Sequence, residues 1–314
     1  MQHPPRFLKA NLLHLSYNMW EEHDAQTDRP RKAAPDLRFD ETLWSELLPR
    51  MRDAGFNAVV LDLGDGIRYR THPEIAVRGA WEPQRLVDEA GRLREYGLEL
   101  IPKLNFSAGH DTWLGPIYSR SVATPVYYQV CSDLIGEVID LLRPRLFHLG
   151  MDEENFPEQQ SNNLIVIRRN ELFWHDLEFL CREVARRGVT PWVWSDTIWE
   201  EYGDLFFERM SREVLQSIWY YGKDFETSAR AKGYAQFDAA GFRQIPTCST
   251  CYQPSNPGLT VEHCLRVIDP KRLGGFLSAP WGATLPANRE RHFESIEIMA
   301  KAWKNLRTEP APVA

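Results

Sequence analysis

Four times along this 314-residue chain a helical pattern ends in a glycine and passes at once into an apolar run. The copies are Gly55-Phe56-Asn57-Ala58-Val59-Val60-Leu61, Gly97-Leu98-Glu99-Leu100-Ile101-Pro102, Gly188-Val189-Thr190-Pro191-Trp192-Val193-Trp194 and Gly241-Phe242-Arg243-Gln244-Ile245-Pro246. The glycine supplies the left-handed conformation that closes a helix, where a Cβ would be penalised. A continuous apolar run without polar alternation suits a strand buried on both faces, as parallel strands are. Helix, glycine and strand in repeated succession are consecutive β/α units, which commits the chain to a parallel sheet.

The pattern predicts eight strands: Leu12–Tyr17, Ala58–Leu63, Glu99–Leu104, Leu146–Gly150, Thr190–Trp194, Val214–Trp219, Arg243–Thr247 and Gly274–Ser278. Helices are expected between them, among them Thr42–Ala54, Pro83–Tyr96, Val126–Leu142 and Asn170–Arg187, with a closing helix near Asn288–Leu306. Eight strands with intervening helices make a (β/α)8 TIM barrel. One α/β domain is expected over residues 1–314, with its core at about 10–306 and a frayed tail at 307–314. A doubly wound open sheet competes, but no glycine-rich phosphate loop follows the first strand.

An excess of 44 acidic over 37 basic residues, a net charge of −7, argues against nucleic acid as partner. Apolar runs are strand-sized, so no membrane span is expected. The residues Met1-Gln2-His3-Pro4-Pro5 lack the apolar core of a leader, which places the chain in the cytoplasm unless a leader has been removed. Cys131 and Cys181 fall in helical patterns, and the Cys248–Cys251 pair has no second Cys or His pair beside it. Neither a disulfide framework nor a metal or other cofactor is implied. Homo-oligomers are compatible with this composition.

The chemistry concentrates in Phe147-His148-Leu149-Gly150-Met151-Asp152-Glu153-Glu154-Asn155, an apolar run that ends in glycine and delivers adjacent carboxylates. Barrel active sites lie at the C-terminal ends of strands. Two carboxyls in one pocket do not both ionise readily, so one can serve as acid while the other stays charged. Six of eleven tryptophans, Trp20, Trp113, Trp194, Trp199, Trp219 and Trp281, follow predicted strands, whereas Trp44, Trp174 and Trp303 sit on helical faces. Aromatic walls clustered at strand ends suit the flat C–H faces of a sugar ring.

These segments resemble family 20 glycoside hydrolases, the β-N-acetylhexosaminidases. His148-Leu149-Gly150-Met151-Asp152-Glu153 is similar to that family's His-x-Gly-Gly-Asp-Glu, and Ile101-Pro102-Lys103 to Ala108-Gly109-His110 is similar to its Ile-Pro-Glu to Pro-Gly-His segment. Asp65-Gly66-Ile67-Arg68 with Gly79-Ala80-Trp81, Trp194-Ser195-Asp196 and Gln216-Ser217-Ile218-Trp219 match further segments in order. The resemblance implies substrate-assisted hydrolysis of a terminal β-linked GlcNAc or GalNAc, an exception to the two-carboxylate scheme. It implies Glu153 as acid and base, and Asp152 as the group that orients the 2-acetamido substituent. His110 and His148 would brace this pair. Trp194, Trp219 and Trp281 would wall the acetamido pocket, and Tyr252, in competition with Tyr220 and Tyr221, would meet the acetamido carbonyl. Asp65 would bind a sugar hydroxyl or brace His110, and Asp196 completes the substrate-binding set. Glu154 is expected to be a supporting or a solvated carboxylate rather than a catalyst. The implied partner is a glycan or amino-sugar substrate.

The chain departs from the family in three places. Strand one holds no arginine to grip the sugar's O3 and O4, which leaves His14, Tyr17, Asn18, Glu21 or Arg68 as replacements. Met151 stands for the motif's second glycine, and no accessory domain precedes the barrel, as in a divergent branch. Two other readings compete. A conventional retaining glycosidase would pair Glu153 with a carboxylate nucleophile, Asp196 or Glu200. A sugar-binding barrel would not catalyse at all.

Overall fold

The apolar runs form eight strands: β1 (Leu8–His14), β2 (Ala58–Asp62), β3 (Glu99–Lys103), β4 (Leu146–His148), β5 (Thr190–Trp194), β6 (Leu215–Ser217), β7 (Thr247–Cys248) and β8 (Gly275–Ser278). The structure, a computed structural model, describes residues 7–20, 33–154, 168–199, 202–304 and 306. Every ladder is parallel, in the order β6-β5-β4-β3-β2-β1-β8-β7. Single bridges, Gln216 to Gln244 and Trp219 to Thr247, join β6 to β7 and close the barrel.

Helices follow the strands in turn: α1 (Glu41–Asp53), α2 (Pro83–Glu95), α3 (Gly115–Tyr118), α4 (Pro125–Leu142), α5 (Asn170–Ala185), α6 (Gly203–Arg209), α7 (Gly233–Ala239), α8 (Asn256–Val267) and α9 (Arg289–Trp303). Their starts are chemically specified. Asp40 caps α1 by accepting the Leu43 N–H at 2.6 Å, and Thr124 caps α4, whose first residue is proline. The (β/α)8 architecture is therefore as the sequence predicts, and no described helix is long and apolar enough to cross a membrane.

Side-chain alternation splits the core into two concentric layers. Leu8, Ala10, Leu12, Val60, Ile101, Trp192, Trp194 and Leu277 fill the barrel interior. Leu13, Val59, Leu61, Phe147, Val193 and Phe276 face outward into the helical ring. This is the filled interior expected of an eight-stranded barrel.

Strand limits differ from expectation at every strand but β5, and three of the differences have a visible cause. β1 begins at Leu8, because Leu8–Asn11 pair with Gly275–Ser278 of β8; the polar Lys9 and Asn11 interrupt the apolar signal there. β4 ends at His148, because Gly150 turns left-handed at φ 74°. β7 is only Thr247–Cys248, and of residues 243–246 Gln244 alone makes bridges, to Gln216 and Leu273. Pro246 has no N–H to give a ladder. The tail at 307–314 and most of the loop after β4 lie outside the described residues.

Candidate active site

Past β4 the backbone takes left-handed φ at Gly150 (74°), Met151 (71°) and Glu153 (54°). Left-handed non-glycine residues are strained, and such strain gathers at functional sites. A Cβ at Gly150 would come within 2.8 Å of the Asn105 Cα, so only glycine lets β3 and β4 approach here. Met151 takes the second left-handed position against its own preference. A glycine would hold it without strain, which is the physical sense of the Gly-Gly pair in the related motif.

The turn delivers Asp152 and Glu153 to one cavity. His110, from the segment after β3, stands between them, with Nδ1 3.2 Å from Asp152 Oδ1 and Nε2 3.0 Å from Glu153 Oε2. Burial opposes a charged imidazole, but the two carboxylates outweigh it and hold the His110 pKa well above its ordinary value. Burial likewise opposes the Asp152 anion. His110, Lys103 and a hydrogen bond from Asn105 Nδ2 at 2.9 Å overcome that opposition and keep the Asp152 carboxyl well below the usual carboxylate range. Asp152 is therefore held as an anion, and a histidinium answers its charge.

Asn105 is a site residue that the sequence reading missed. Besides holding Asp152, its Oδ1 accepts the N–H groups of Ser107 (3.0 Å) and Met151 (3.3 Å), tying the ends of β3 and β4 together. Its signal was only its place at a strand end. Lys103 was also missed. It is fully buried, with Nζ 2.5 Å from Asp62 Oδ2. Glu154 supports the site as expected, since its carboxylate accepts the Ala108 N–H at 2.7 Å and pairs with the fully buried Arg168.

The cavity measures about 620 Å3 and opens at the C-terminal ends of the strands. Six predicted residues line it: His110, Asp152, Glu153, Trp219, Tyr252 and Trp281. Trp219, Tyr221 and Tyr252 stack in series, at 5.2 Å and 5.8 Å between centroids. Tyr221 was weighed only as a competitor, yet it is the central ring. Its hydroxyl accepts the Trp281 Nε1–H at 3.0 Å, whereas Tyr252 is 58% exposed.

Four predicted residues are absent from the cavity lining. His148 braces no acid. It is buried in the barrel interior, where its Nδ1 accepts the Gly150 N–H at 3.0 Å and its ring lies 4.8 Å and 4.4 Å from Trp192 and Trp194. Burial lowers its pKa well below the ordinary value, so it is a neutral core group. Trp194 belongs to the same interior, with its ring 6.0 Å from that of Trp281 in the cavity wall. Asp65 binds Ser16 and Asn18 rather than His110, and burial pushes its pKa to about 6. Asp196 accepts the Glu153 N–H at 2.9 Å and the Trp219 Nε1–H at 3.3 Å. Burial, with Asp152 nearby, raises its pKa to about 8. Glu200, the other candidate nucleophile, lies outside the described residues.

Of the replacements considered for the strand-one arginine, Tyr17 lines the cavity together with Met19 and Trp20. His14 is buried beside Asp62, Asn18 holds Asp65, and Arg68 pairs with Glu82 at 3.1 Å. Glu21 lies outside the described residues. The described wall after β1 is therefore neutral and largely apolar. The five cysteines are free thiols. His110, Asp152 and Glu153 form the one described group with the spacing of a metal site, and the imidazole stands between the two carboxylates.

No protein-family profile and no curated protein sequence matches this chain. Solved structures do. A GH20 β-N-acetylhexosaminidase from Streptomyces coelicolor A3(2) superposes with a TM-score of 0.61 at 14% identity, over 93% of this chain and 64% of its own. A GH20 exo-β-N-acetylglucosaminidase from Vibrio harveyi, solved with N-acetylglucosamine, gives 0.62 at 14% identity, over 96% of this chain and 54% of its own. A mutant Streptomyces plicatus β-hexosaminidase bound to GlcNAc as product gives 0.63 at 14% identity, over 95% and 64%. The likeness establishes a common barrel fold, and the chain spans less than two thirds of each of these proteins.

Proposed function

We propose that this chain is a retaining exo-β-N-acetylhexosaminidase acting on terminal β-linked GlcNAc or GalNAc. The observation that carries this reading is that two carboxyls adjacent in sequence, Asp152 and Glu153, share one aromatic-walled cavity with a histidine held between them. The fold shared with hexosaminidases supports it.

In this reading the sugar's own 2-acetamido oxygen attacks the anomeric carbon as the glycosidic bond breaks. Glu153 gives a proton to the departing oxygen, and His110 Nε2, 3.0 Å away, is the reservoir that supplies it. Asp152, held anionic, accepts the acetamido N–H and balances the oxazolinium charge. Water then adds to the anomeric carbon from the face the leaving group vacated, and Glu153 takes its proton, so configuration is retained. Trp219 and Trp281 enclose the acetamido methyl. The Tyr221 hydroxyl, its lone pair occupied by Trp281 Nε1–H, turns its own proton to the acetamido carbonyl.

The test is turnover of nitrophenyl β-GlcNAc and β-GalNAc, with a thiazoline mimic of the oxazoline as inhibitor. Hydrolysis of at least one glycoside, blocked by the thiazoline, is expected. No turnover of either, together with no thiazoline binding, would overturn the reading.

A further inference from the structure

Arg230, on the segment between β6 and α7, lines the same cavity as Asp152 and Glu153. The guanidinium lies 5.0 Å from the centroid of the Trp199 ring. Trp199 is itself fixed. Its Nε1–H donates to the Arg230 carbonyl at 3.2 Å, and its ring meets Trp219 edge-on at 5.0 Å. The arginine is thus oriented by an aromatic face rather than by an acid. Arg145, Arg209 and Arg272 each pair with a carboxylate, whereas no described carboxylate pairs with Arg230. In a chain with seven more acidic than basic side chains, an exposed cation that pairs with no acid among the described residues, in a ligand cavity, is poised for an incoming anion.

The same cavity also carries an aromatic wall. Tyr252 stacks on Tyr221 at an interplanar angle of 9°, presents an exposed ring and lines the cavity beside Gln253. A second sugar or aryl ring therefore has a flat apolar face to rest on. The charges are also polarised, anionic at Asp152 and cationic at Arg230. An anionic substituent is repelled by Asp152 and attracted by Arg230.

We infer that the outer part of the cavity is a subsite for the leaving group, and that Arg230 selects leaving groups that carry a carboxylate, sulfate or phosphate. This rests on the hexosaminidase reading for which end of the substrate departs. Arg230 supplies a charge-assisted, fork-shaped contact, and Tyr252 supplies the platform.

The test compares para-carboxyphenyl with para-carbamoylphenyl N-acetyl-β-glucosaminide, which differ in charge and little in shape. Wild-type kcat/KM is expected to favour the carboxylate by about tenfold, and mostly through KM. Arg230→Gln should bring the ratio to about one, Arg230→Lys should keep part of it, and added salt should weaken it. A wild-type ratio of one, or a ratio that survives Arg230→Gln, overturns the subsite. Calorimetry of both glycosides on Glu153→Gln reads the subsite without turnover. Arg230-dependent preference for the carboxylate there upholds it even if the enzyme reading fails, and equal affinities overturn it.

Discussion

His110 touches both members of the proposed catalytic pair, so its loss separates two effects that a substitution of either carboxylate would merge. The imidazolium is among the groups that hold Asp152 ionised against burial. With His110→Asn that counter-charge is gone, and the Asp152 pKa rises. The acidic limb of kcat/KM against pH, set by ionisation of Asp152, should then move to higher pH, and the maximum should fall by roughly 10²–10⁴ as proton supply to Glu153 is lost. An unmoved acidic limb would mean that His110 only fills space. The sequence disclosed Asp152, Glu153 and His110 because each sits in a short motif at a strand end. It could not separate His110 from His148, because both are histidines in matching segments. Only the chain path reveals that one faces the cavity and the other lies between Trp192 and Trp194. Asn105 and Tyr221 stayed hidden because an amide and a phenol become informative only through their partners.

At the scale of elements, the loops after β3 and β4 are bolted together from beneath. Arg168, fully buried, joins Glu154 and Asp176 and donates to the Phe106 carbonyl, while Glu154 accepts the Ala108 N–H. Removing the cation takes its answering charge from two buried carboxylates. Arg168→Leu should therefore cost about 3–5 kcal/mol in urea-induced unfolding. Activity should fall with it, because the bolt fixes the segment that carries His110. A loss below about 1 kcal/mol would contradict this account of the loops. The β/α succession was legible because glycine-terminated helices followed by apolar runs have few other outcomes. β1 and β7 were placed less well. Lys9 and Asn11 broke one apolar run, and Pro246 withheld the N–H that would have regularised the other.

Across the whole molecule, burial of ionisable groups makes stability depend on pH in a definite direction. The unfolded chain releases protons from aspartate near pH 3.8 and from histidine near pH 6.5. The fold keeps a proton on Asp196 up to about pH 8, and on Asp111 and His110 well above their ordinary values. Burial dominates for the two aspartates; for His110 the carboxylates overcome it. Between pH 6.5 and 8 the folded state thus binds more protons than the unfolded state, and stability falls as pH rises. The buried neutral imidazoles of His14, His148 and His292 act the other way, but only below pH 6.5. Urea unfolding should give a free energy lower by roughly 1–3 kcal/mol at pH 8 than at pH 6.5. A flat or rising profile would contradict the protonation states on which the site's electrostatics rest.

The claim at the centre of the account is that the substrate's acyl oxygen performs the displacement while Asp152 steers it. Progressive fluorination of the N-acetyl methyl weakens that oxygen as a nucleophile and leaves the leaving group unchanged. Steady-state kcat/KM for nitrophenyl glycosides bearing acetyl, monofluoroacetyl, difluoroacetyl and trifluoroacetyl groups is the most direct measurement. A steep, monotonic fall along the series is predicted. Rates indifferent to fluorination would place the nucleophile on the protein and contradict the account.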